Sequence, residues 1–322
     1  MRRLVRNTVL FTLTTVAVYL LLLFALGDWG WVRTARTEMG NRGFLNSRVK
    51  DIRNYHNVDV LFLGSSHSYR TFDTRFYRAQ GLSCFNLGSS NQTPIQTYVL
   101  LKTYLDSLNP KFVVFEVHPD IMKNDGVECA VDLLINTPVT WEATKMAWHT
   151  GNMKVINTWL YSLYNQKIRH RLEHFVEDSV MDDAEYVAGG YVEINTKEFV
   201  RKRYSAHNLT IRPEQMEALK RCLGLLKERG IPYMLVEVQD AYQLRSAFKN
   251  HEWFEDKMKA LGPYRYKILP LVDTVHFCNS NHLFKPGIEL FNQDFIVDLK
   301  QALADNGILL TSSQTQTNSF TN

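Results

Sequence analysis

An apolar run that ends abruptly in small hydroxyl residues constrains this fold more than any other feature. Residues 58–63 read Val-Asp-Val-Leu-Phe-Leu, and Gly64-Ser65-Ser66 follows at once. Such a run is typical of a buried parallel strand, and the turn after it presents a hydroxyl at the carboxyl end of the strand. Reactive groups of open α/β sheets gather at that edge. The sequence therefore predicts that the Ser66 hydroxyl lies at the carboxyl edge of the sheet, where reactive groups are expected.

Strands and helices alternate through much of the remaining chain. After the first strand, the pattern predicts strands at 83–87, 112–117, 232–238 and 266–272 and helices at 92–108, 213–228, 253–261 and 285–304. This alternation is typical of a three-layer α/β/α fold with a parallel sheet, here of about five strands.

The N-terminus predicts a membrane anchor. Three arginines within the first six residues precede an uncharged apolar run at 8–26, and Trp29 and Trp31 follow. As a helix the run would rise about 28 Å, close to the thickness of a hydrocarbon core. The arginines favour a cytoplasmic N-terminus, so the rest of the chain would face the periplasm or the outside of an inner (cytoplasmic) membrane. A cleaved signal peptide is the alternative, although its apolar region is usually shorter.

These patterns divide the chain into segments. We expect a signal anchor at 1–32, a polar juxtamembrane connector at 33–57 and an α/β domain at 58–310. A mostly helical insertion at about 120–205 would either cap the active edge or only pack on the sheet. The polar, low-complexity tail at 311–322 is predicted to be disordered.

A histidine near the end of the chain provides a partner for the serine. Asn279-Ser280-Asn281-His282 stands just ahead of the last predicted helix. A serine after the first strand and a histidine before the last helix are the two halves of a nucleophile–base pair. Ser66 and His282 are therefore predicted to lie within or just beyond hydrogen-bonding distance.

These motifs resemble the blocks of the SGNH (GDSL-like) hydrolases, which have a flavodoxin-like sheet. Gly64-Ser65-Ser66 resembles the first block, Asn86-Leu87-Gly88 the second, and residues 279–282 the last. The resemblance spans about 55–118 and 205–305. It implies that Ser66 is the nucleophile, that His282 is its base, and that Gly88 offers a backbone N–H to the oxyanion.

A serine motif behind a membrane anchor resembles two membrane-anchored branches of this superfamily. These are the DltD-like proteins of teichoic acid D-alanylation and the AlgJ/AlgX-like alginate O-acetyltransferases. The resemblance implies action outside the membrane on a polysaccharide or glycan acceptor. It also implies a membrane-bound O-acyltransferase as a partner, in addition to the lipid bilayer itself.

The sequence departs from the family pattern at two places. Asn279 stands where the family has an aspartate, and Asp273, in a second Asp-x-x-His, is the alternative source of a carboxylate. In a serine protease the equivalent Asp-to-Asn change costs about 10⁴ in turnover, although a Ser-His dyad can also function. The third block, Gly-x-Asn-Asp, has no clear counterpart, so either Asn91 or His118 completes the oxyanion hole or the hole is incomplete.

Charge and cysteine content narrow the range of functions. The net charge is only +4 and no basic stripe with interleaved aromatic residues is present, so a nucleic-acid partner is not expected. The four cysteines show no metal-ligand spacing, and neither a metal nor a cofactor is predicted.

The sequence as a whole predicts a membrane-anchored, extracytoplasmic serine esterase or O-acyltransferase that acts on a cell-envelope polysaccharide through an acyl-Ser66 intermediate. Hydrolysis and transfer share that intermediate, so the motifs do not separate them. The alternative is a catalytically inactive SGNH-like domain that serves as a binding or scaffold partner. A third hypothesis is a membrane-tethered α/β domain with no hydrolase site.

Overall fold

In a computed structural model, residues 1–308 are described, and the tail at 311–322 lies outside the described residues. The strands of this part are β1 Val60–Leu63, β2 Cys84–Asn86, β3 Phe112–Glu116, β4 Val180–Met181, β5 Ala184–Val187, β6 Tyr191–Ile194, β7 Tyr233–Glu237 and β8 Tyr264–Tyr266. The first helices are α1 Arg2–Asp28, α2 Leu45–Asp51, α3 Ser66–Tyr69, α4 Thr74–Ala79, α5 Pro94–Leu108, α6 Pro119–Met122, α7 Val127–Asn136 and α8 Trp141–Thr150. The others are α9 Met153–Lys167, α10 Arg171–His174, α11 Pro213–Glu228, α12 Tyr242–Arg245, α13 His251–Lys259, α14 Asp273–His276 and α15 Lys285–Asp305.

The main sheet has five parallel strands in the order β2-β1-β3-β7-β8, which confirms the predicted α/β architecture. The chain adds β2 on one side of β1 and then continues on the other side with β3. The direction of winding therefore changes between these strands. Ligands of open α/β sheets bind in the crevice outside the carboxyl ends of the strands at such a point. Ser66 follows β1 directly and so lies at this crevice.

Alternation along the strands explains the two layers of helices. Leu61 and Leu63 face a core that contains side chains of α5 and α11. Val60 and Phe62 face the opposite core, which is closed by α15. All of these side chains are fully buried, and burial of one such side chain contributes about 1.5–3 kcal/mol to folding. The strand therefore reads as continuously apolar because both of its faces are covered.

Two helices have nearly the bounds that the sequence predicted. The first, α11, covers the predicted 213–228 and begins with proline at its first turn, where the missing N–H is not needed. The last, α15, extends one residue past the predicted 285–304. This closing helix follows directly on the His282 loop and fixes the position of that loop.

The predicted last strand at 266–272 is wrong. The strand lies at Tyr264–Tyr266 and pairs with residues 235–237 of β7. Beyond it the chain leaves the sheet, and the Leu269 N–H donates to the side-chain oxygen of Gln239 at 2.6 Å instead of to a strand carbonyl. The apolar residues at 268–272 that indicated a strand are irregular instead.

The insertion at 120–205 is helical from α6 to α10, as predicted, but it also contains a three-stranded antiparallel sheet, β4-β5-β6, that was not predicted. The turn between β5 and β6 contains Gly189 and Gly190, both with positive φ. The Asn86 N–H donates to the Gly189 carbonyl at 2.8 Å. A Cβ on Gly190 would lie 2.0 Å from the Asn86 carbonyl, so this hairpin packs directly on the end of β2.

The segment at 33–57 is more than a polar connector, contrary to expectation. It contains α2, and the fully buried Arg48 of that helix donates to the carbonyls of Gly43 and Gly190. Burial of a guanidinium without such partners would be costly, so these hydrogen bonds are what permit it. The segment therefore packs against the antiparallel hairpin.

The N-terminal helix α1 is long and apolar enough to span a membrane by length and composition. Its apolar stretch is almost entirely uncovered by the rest of the protein, unlike a core helix. Only toward its end does it pack on other residues, where Leu23 and Gly27 are buried.

Candidate active site

The predicted pairing of Ser66 with His282 is confirmed as geometry. Ser66 is the first residue of α3, immediately after the turn that ends β1. His282 lies in the loop that leads into α15. The Ser66 Oγ and the His282 Nε2 are 2.7 Å apart, which is a hydrogen-bonding distance between a nucleophile and a base.

Asn279 orients the histidine. Its Oδ1 lies 3.1 Å from the His282 Nδ1 and also accepts the backbone N–H groups of Asn281 and His282 at 3.1 and 2.9 Å. Two backbone donors identify the amide atom that faces the ring as the oxygen. The Nδ1 therefore carries the proton, and Nε2 is free to accept the Ser66 proton. The amide selects the catalytic tautomer but supplies no negative charge.

Asp273 does not supply the missing carboxylate. Its two oxygens accept the backbone N–H groups of Tyr242 and Gln243 at 2.7 and 3.1 Å, at the start of α12. Both ring nitrogens of His282 are already bonded to other groups. Asp273 satisfies the exposed donors of a helix end, which is a structural role. The expectation that it could complete a triad is therefore wrong.

A buried carboxylate holds the turn that carries Ser66. Glu116, at the end of β3, accepts the Ser65 N–H at 2.7 Å and the Ser65 hydroxyl at 2.8 Å through the same oxygen. Gly64 has φ +133°, and a Cβ there would lie 2.4 Å from that oxygen. Glycine is therefore required at position 64. Burial raises the pKa of Glu116 above its ordinary value.

The predicted oxyanion donors are placed less simply than the motifs implied. The Gly88 N–H donates to the Asn86 side-chain oxygen at 3.0 Å, so its role toward an oxyanion stays a prediction. Asn91 is exposed in a left-handed conformation. His118 has both ring nitrogens engaged, with Asp240 and with the Asp120 N–H. Within residues 1–308, the Ser66 N–H has no hydrogen-bond partner, so it is available to an oxyanion.

Gly88 nevertheless belongs to the site by packing. A Cβ on it would lie 2.9 Å from the Gly64 carbonyl and 3.1 Å from the Ser65 carbonyl. A side chain at position 88 would thus push against the nucleophile turn. The second motif supports the first through close backbone contact.

The imidazole rings of His67 and His118 stack beneath the ring of His282. The ring centroids of His282 and His67 are 4.8 Å apart, and those of His67 and His118 are 4.0 Å apart with an angle of 10°. The His118 Nε2 in turn lies 3.1 Å from the Asp240 carboxylate. His67, His118 and Asp240 are all buried, and this stack supports His282 from the interior.

Donor atoms of His67, His118 and Asp240 lie within 4.8 Å of one another, which raises the question of a metal. Histidine binds a metal along the in-plane lone pair of a ring nitrogen, at about 2.0–2.1 Å for zinc. The lone pairs of two nearly parallel stacked rings do not converge on one point. The stacking geometry therefore does not favour a metal centre, and among residues 1–308 the buried His67 Nε2 has no hydrogen-bond partner.

The environment of His282 keeps its base form available. Burial, followed by the nearby guanidinium of Arg70, lowers the pKa of His282 well below its ordinary value. The ring is therefore neutral at pH 7. Because the neutral ring is the base, activity should be present above this pKa and lost as the pH falls through it.

We expect Arg70→Gln to move the acid limb of the kcat/KM profile to higher pH, since removal of the positive charge raises the pKa of His282. The measurement is kcat/KM from pH 4 to 8 on the full chain. Arg229→Gln, at the opposite edge of the sheet after α11, is the control and should leave the limb in place. An unchanged limb in Arg70→Gln would show that this guanidinium does not act on the base.

A groove of about 650 Å³ opens beside Asn279 and Arg70. The segment after β6 forms one of its walls, so this part of the insertion reaches the active edge. The charged residues that line it are Arg42, Arg70, Lys197, Lys202, Asp183 and Glu198. Basic residues outnumber acidic ones, and one Arg42–Asp183 ion pair is present. The groove suits an oxygen-rich ligand that carries hydrogen-bond acceptors, and it adjoins the site through Arg70 and Asn279 while Ser66 and His282 are not among its lining residues.

Sequence analysis missed several residues of the site. Glu116 was visible as the single charged residue of an otherwise apolar strand, and that is a signal of a buried polar role. His67 was part of the first motif but received no role. Arg70 and Asp240 gave no signal, because their positions depend on tertiary packing.

Comparisons with known proteins add little to this geometry. No protein-family model and no curated protein matches the sequence. Among solved structures, a Bacteroides fragilis chain described as a "putative acylhydrolase" matches with 12% identity, a TM-score of 0.38, and coverage of 83% of this chain and 100% of that chain. A likeness of this degree carries no argument about function. The class that fold and site define is a parallel α/β protein with a serine–histidine–asparagine arrangement at the carboxyl edge of its sheet.

Proposed function

We propose that the chain is a serine esterase or O-acyltransferase of the SGNH type that works through an acyl-Ser66 intermediate. The observation that carries this proposal is the 2.7 Å contact between the Ser66 Oγ and the His282 Nε2, with Asn279 on the other ring nitrogen. The sheet order and the positions of these residues at the first strand and before the last helix also support it. The third block of the family is missing, and Glu116 and His118 stand at its place at the end of β3.

The proposed reaction has two halves. Ser66 Oγ attacks the acyl carbonyl while its proton passes to the His282 Nε2, and the carbonyl oxygen becomes an oxyanion near the Ser66 N–H. The intermediate collapses, the bond to the leaving alcohol breaks, and His282 returns the proton to that alcohol. Water or an acceptor hydroxyl then attacks the acyl-Ser66 ester while its proton passes to His282. The bond between the acyl carbon and the Ser66 Oγ breaks, and His282 returns the proton to Ser66. Each aligned oxyanion donor contributes about 2.7–4 kcal/mol to the transition state.

The proposed location is the outer side of a membrane that α1 spans once. Its length and composition support an anchor, and arginines at positions 2, 3 and 6 favour a cytoplasmic N-terminus. A catalytic domain in that place would meet cell-envelope polysaccharide as acceptor, and the open groove beside Asn279 suits a chain-like substrate. A membrane-bound O-acyltransferase is the proposed acyl source.

A catalytically inactive scaffold is the second candidate. One observation favours it: the Gly88 N–H, which the family resemblance assigns to the oxyanion, is bonded to Asn86. A neutral Asn279 points in the same direction, because it does not stabilise a charged His282. A scaffold would keep the groove but would not acylate Ser66.

The two candidates differ in whether a serine ester forms. We expect the full chain in mild detergent, mixed with a p-nitrophenyl acyl ester and quenched in acid, to carry one acyl group on the peptide that contains Ser66. Addition of oligosaccharide acceptors before the quench should lower this population if transfer is the function. Ser66→Ala is the control and should carry none. A wild-type chain without any acylated peptide, across acetyl, propionyl and alanyl donors, supports the scaffold.

A further inference from the structure

We propose that the Arg70 guanidinium binds one anionic group, a carboxylate or a phosphate, carried by the alcohol half of the substrate ester. This inference rests on the proposed function and adds a specificity-determining residue to it. Arg70 directly follows α3, and its backbone N–H donates to the Ser66 carbonyl at 3.1 Å. Because this bond closes one helical turn, the side chains of Arg70 and Ser66 lie on the same face of that turn.

The Arg70 side chain has no partner of its own in the protein. Within residues 1–308, its buried Nε has no hydrogen-bond partner, and no carboxylate forms an ion pair with its guanidinium. Its carbon Cζ lies 5.6 Å from the centre of the Tyr69 ring, a contact that leaves the N–H groups unsatisfied. Buried polar atoms without a partner are uncommon in folded proteins, and a group that binds from outside is one explanation.

The other basic residues of the groove are compensated in ways that Arg70 is not. Arg42 is paired with Asp183, and Lys197 donates to two backbone carbonyls. Lys202 is exposed, so water solvates its charge, whereas Arg70 is partly buried. Among the cations that line the groove, Arg70 is therefore the one that most needs an acceptor from a ligand.

The chemistry of a guanidinium indicates which ligand group fits. Its planar fork of N–H donors matches two oxygens of a carboxylate or a phosphate, with two parallel hydrogen bonds. Partial burial strengthens the attraction between opposite charges, because less water screens it. A sugar hydroxyl would accept one hydrogen bond but would leave the positive charge uncompensated. An anionic group is therefore the better match.

The position of the groove assigns this anion to the alcohol half of the ester. Arg70 shares the groove with Cys278, Asn279 and Ser280, which belong to the loop of His282. In the proposed reaction His282 returns its proton to the leaving alcohol, so the alcohol lies on the side of this ring. An acceptor alcohol that takes the acyl group approaches from the same side.

A bound anion would also strengthen the base. Burial, then the charge of Arg70 and then that of His118 lower the pKa of His282. The other titratable groups of this region are His67, stacked on the His282 ring, and Asp240, bonded to His118. Neutralisation of Arg70 raises the pKa of His282 toward its ordinary value. Because a base works best with a pKa near the operating pH, an anionic substrate would speed its own turnover.

Matched acetyl esters test the proposal on the full-length chain in mild detergent. The anionic esters are 4-acetoxybenzoate and 4-acetoxyphenyl phosphate, and methyl 4-acetoxybenzoate is the neutral counterpart. Each kcat/KM is divided by the rate of the same ester with hydroxide, which removes differences between the leaving groups. We expect the wild type to prefer at least one anion by about tenfold or more. Arg70→Gln should lose this preference, and Arg70→Lys should keep part of it.

Arg229→Gln removes a distant guanidinium and is the control, which should keep the full preference. The larger of the two anion effects shows whether the site is built for a carboxylate or a phosphate. A wild type that treats all three esters alike would overturn the proposal. A loss of equal size for the neutral and anionic esters in Arg70→Gln would also overturn it, because the guanidinium would then act on the oxyanion and not on a substrate anion.

A binding measurement separates failure of this inference from failure of the proposed function. The amide analogues 4-acetamidobenzoate and 4-acetamidophenyl phosphate, with methyl 4-acetamidobenzoate as the neutral counterpart, would be titrated against wild type and Arg70→Gln by ligand-observed NMR. Tighter binding of an anion than of the neutral amide, in the wild type alone, supports the anion site even if no ester is hydrolysed. Equal binding of all three amides to the wild type would refute the anion site and leave the serine chemistry standing.

Discussion

Replacement of Ser66 by alanine is expected to lower kcat for a small acetyl ester by about 10⁴–10⁶-fold, because the proposed acyl-enzyme forms on its hydroxyl. His282→Ala should cause a loss of similar size. The Ser66 Oγ and the His282 Nε2 are in direct contact, and residues that act as one unit show strongly non-additive effects. The double variant should therefore be no slower than either single variant. The measurement is initial rates on the full chain in mild detergent.

Ser107→Ala is the matched control, since this serine is exposed on α5 and far along the helix from the active edge. Its rate should equal that of the wild type. Retention of wild-type turnover in Ser66→Ala would mean that the measured hydrolysis does not use this serine.

The second large effect is expected at Asn279. Asn279→Asp should raise turnover by about tenfold or more, since a carboxylate in this position stabilises the charged histidine that forms during attack. The same charge raises the pKa of His282. Because activity needs the neutral ring, the acid limb of the pH profile should move to higher pH. The gain should therefore be largest above pH 7 and smaller in acid.

Asp273→Asn is the paired variant that separates the two possible acids. Asp273 bonds to the start of α12 and not to His282, so turnover should stay within about twofold of the wild type. A loss of about 10²–10⁴-fold in Asp273→Asn, with no gain in Asn279→Asp, would show that Asp273 orients the histidine during catalysis.

The positions of Ser66 and His282 could be predicted because each follows or precedes a recognisable strand or helix of the α/β fold. The carboxyl ends of parallel strands share one edge, so a serine directly after β1 had to lie at that edge. The loop before the closing helix returns to the same edge in an α/β fold, and this brought His282 to Ser66. The contact with Asn279 followed from the short spacing within the loop.

Other parts depended on packing that one sequence does not specify. The role of Glu116 requires the knowledge that β3 pairs with β1, because its carboxylate reaches Ser65 across the strands. The predicted last strand at 266–272 was misplaced because apolar residues at 268–272 do not reveal whether the backbone pairs with a strand, and the Leu269 N–H bonds to the Gln239 side chain instead. The burial of Arg48 could not be predicted from its polar segment, because one of its two carbonyl partners, Gly190, is remote in sequence.

The hydrogen bond made by the Gly88 N–H could not be predicted from the sequence either. The motif placed a glycine at the right point, but the hydrogen bond from its N–H to Asn86 depends on the local turn. Release of this bond by rotation of the Asn86 side chain would free a second oxyanion donor. That side chain is bonded to Ser68 as well.

The most direct test of the central claim is reaction of the full-length chain with a fluorophosphonate probe, which labels a serine only when a neighbouring base activates it. We predict stoichiometric labelling of the wild type on the peptide that contains Ser66, and loss of the label in both Ser66→Ala and His282→Ala. A wild-type chain that stays unlabelled, or a label that persists in Ser66→Ala, would contradict the assignment of Ser66 as an activated nucleophile.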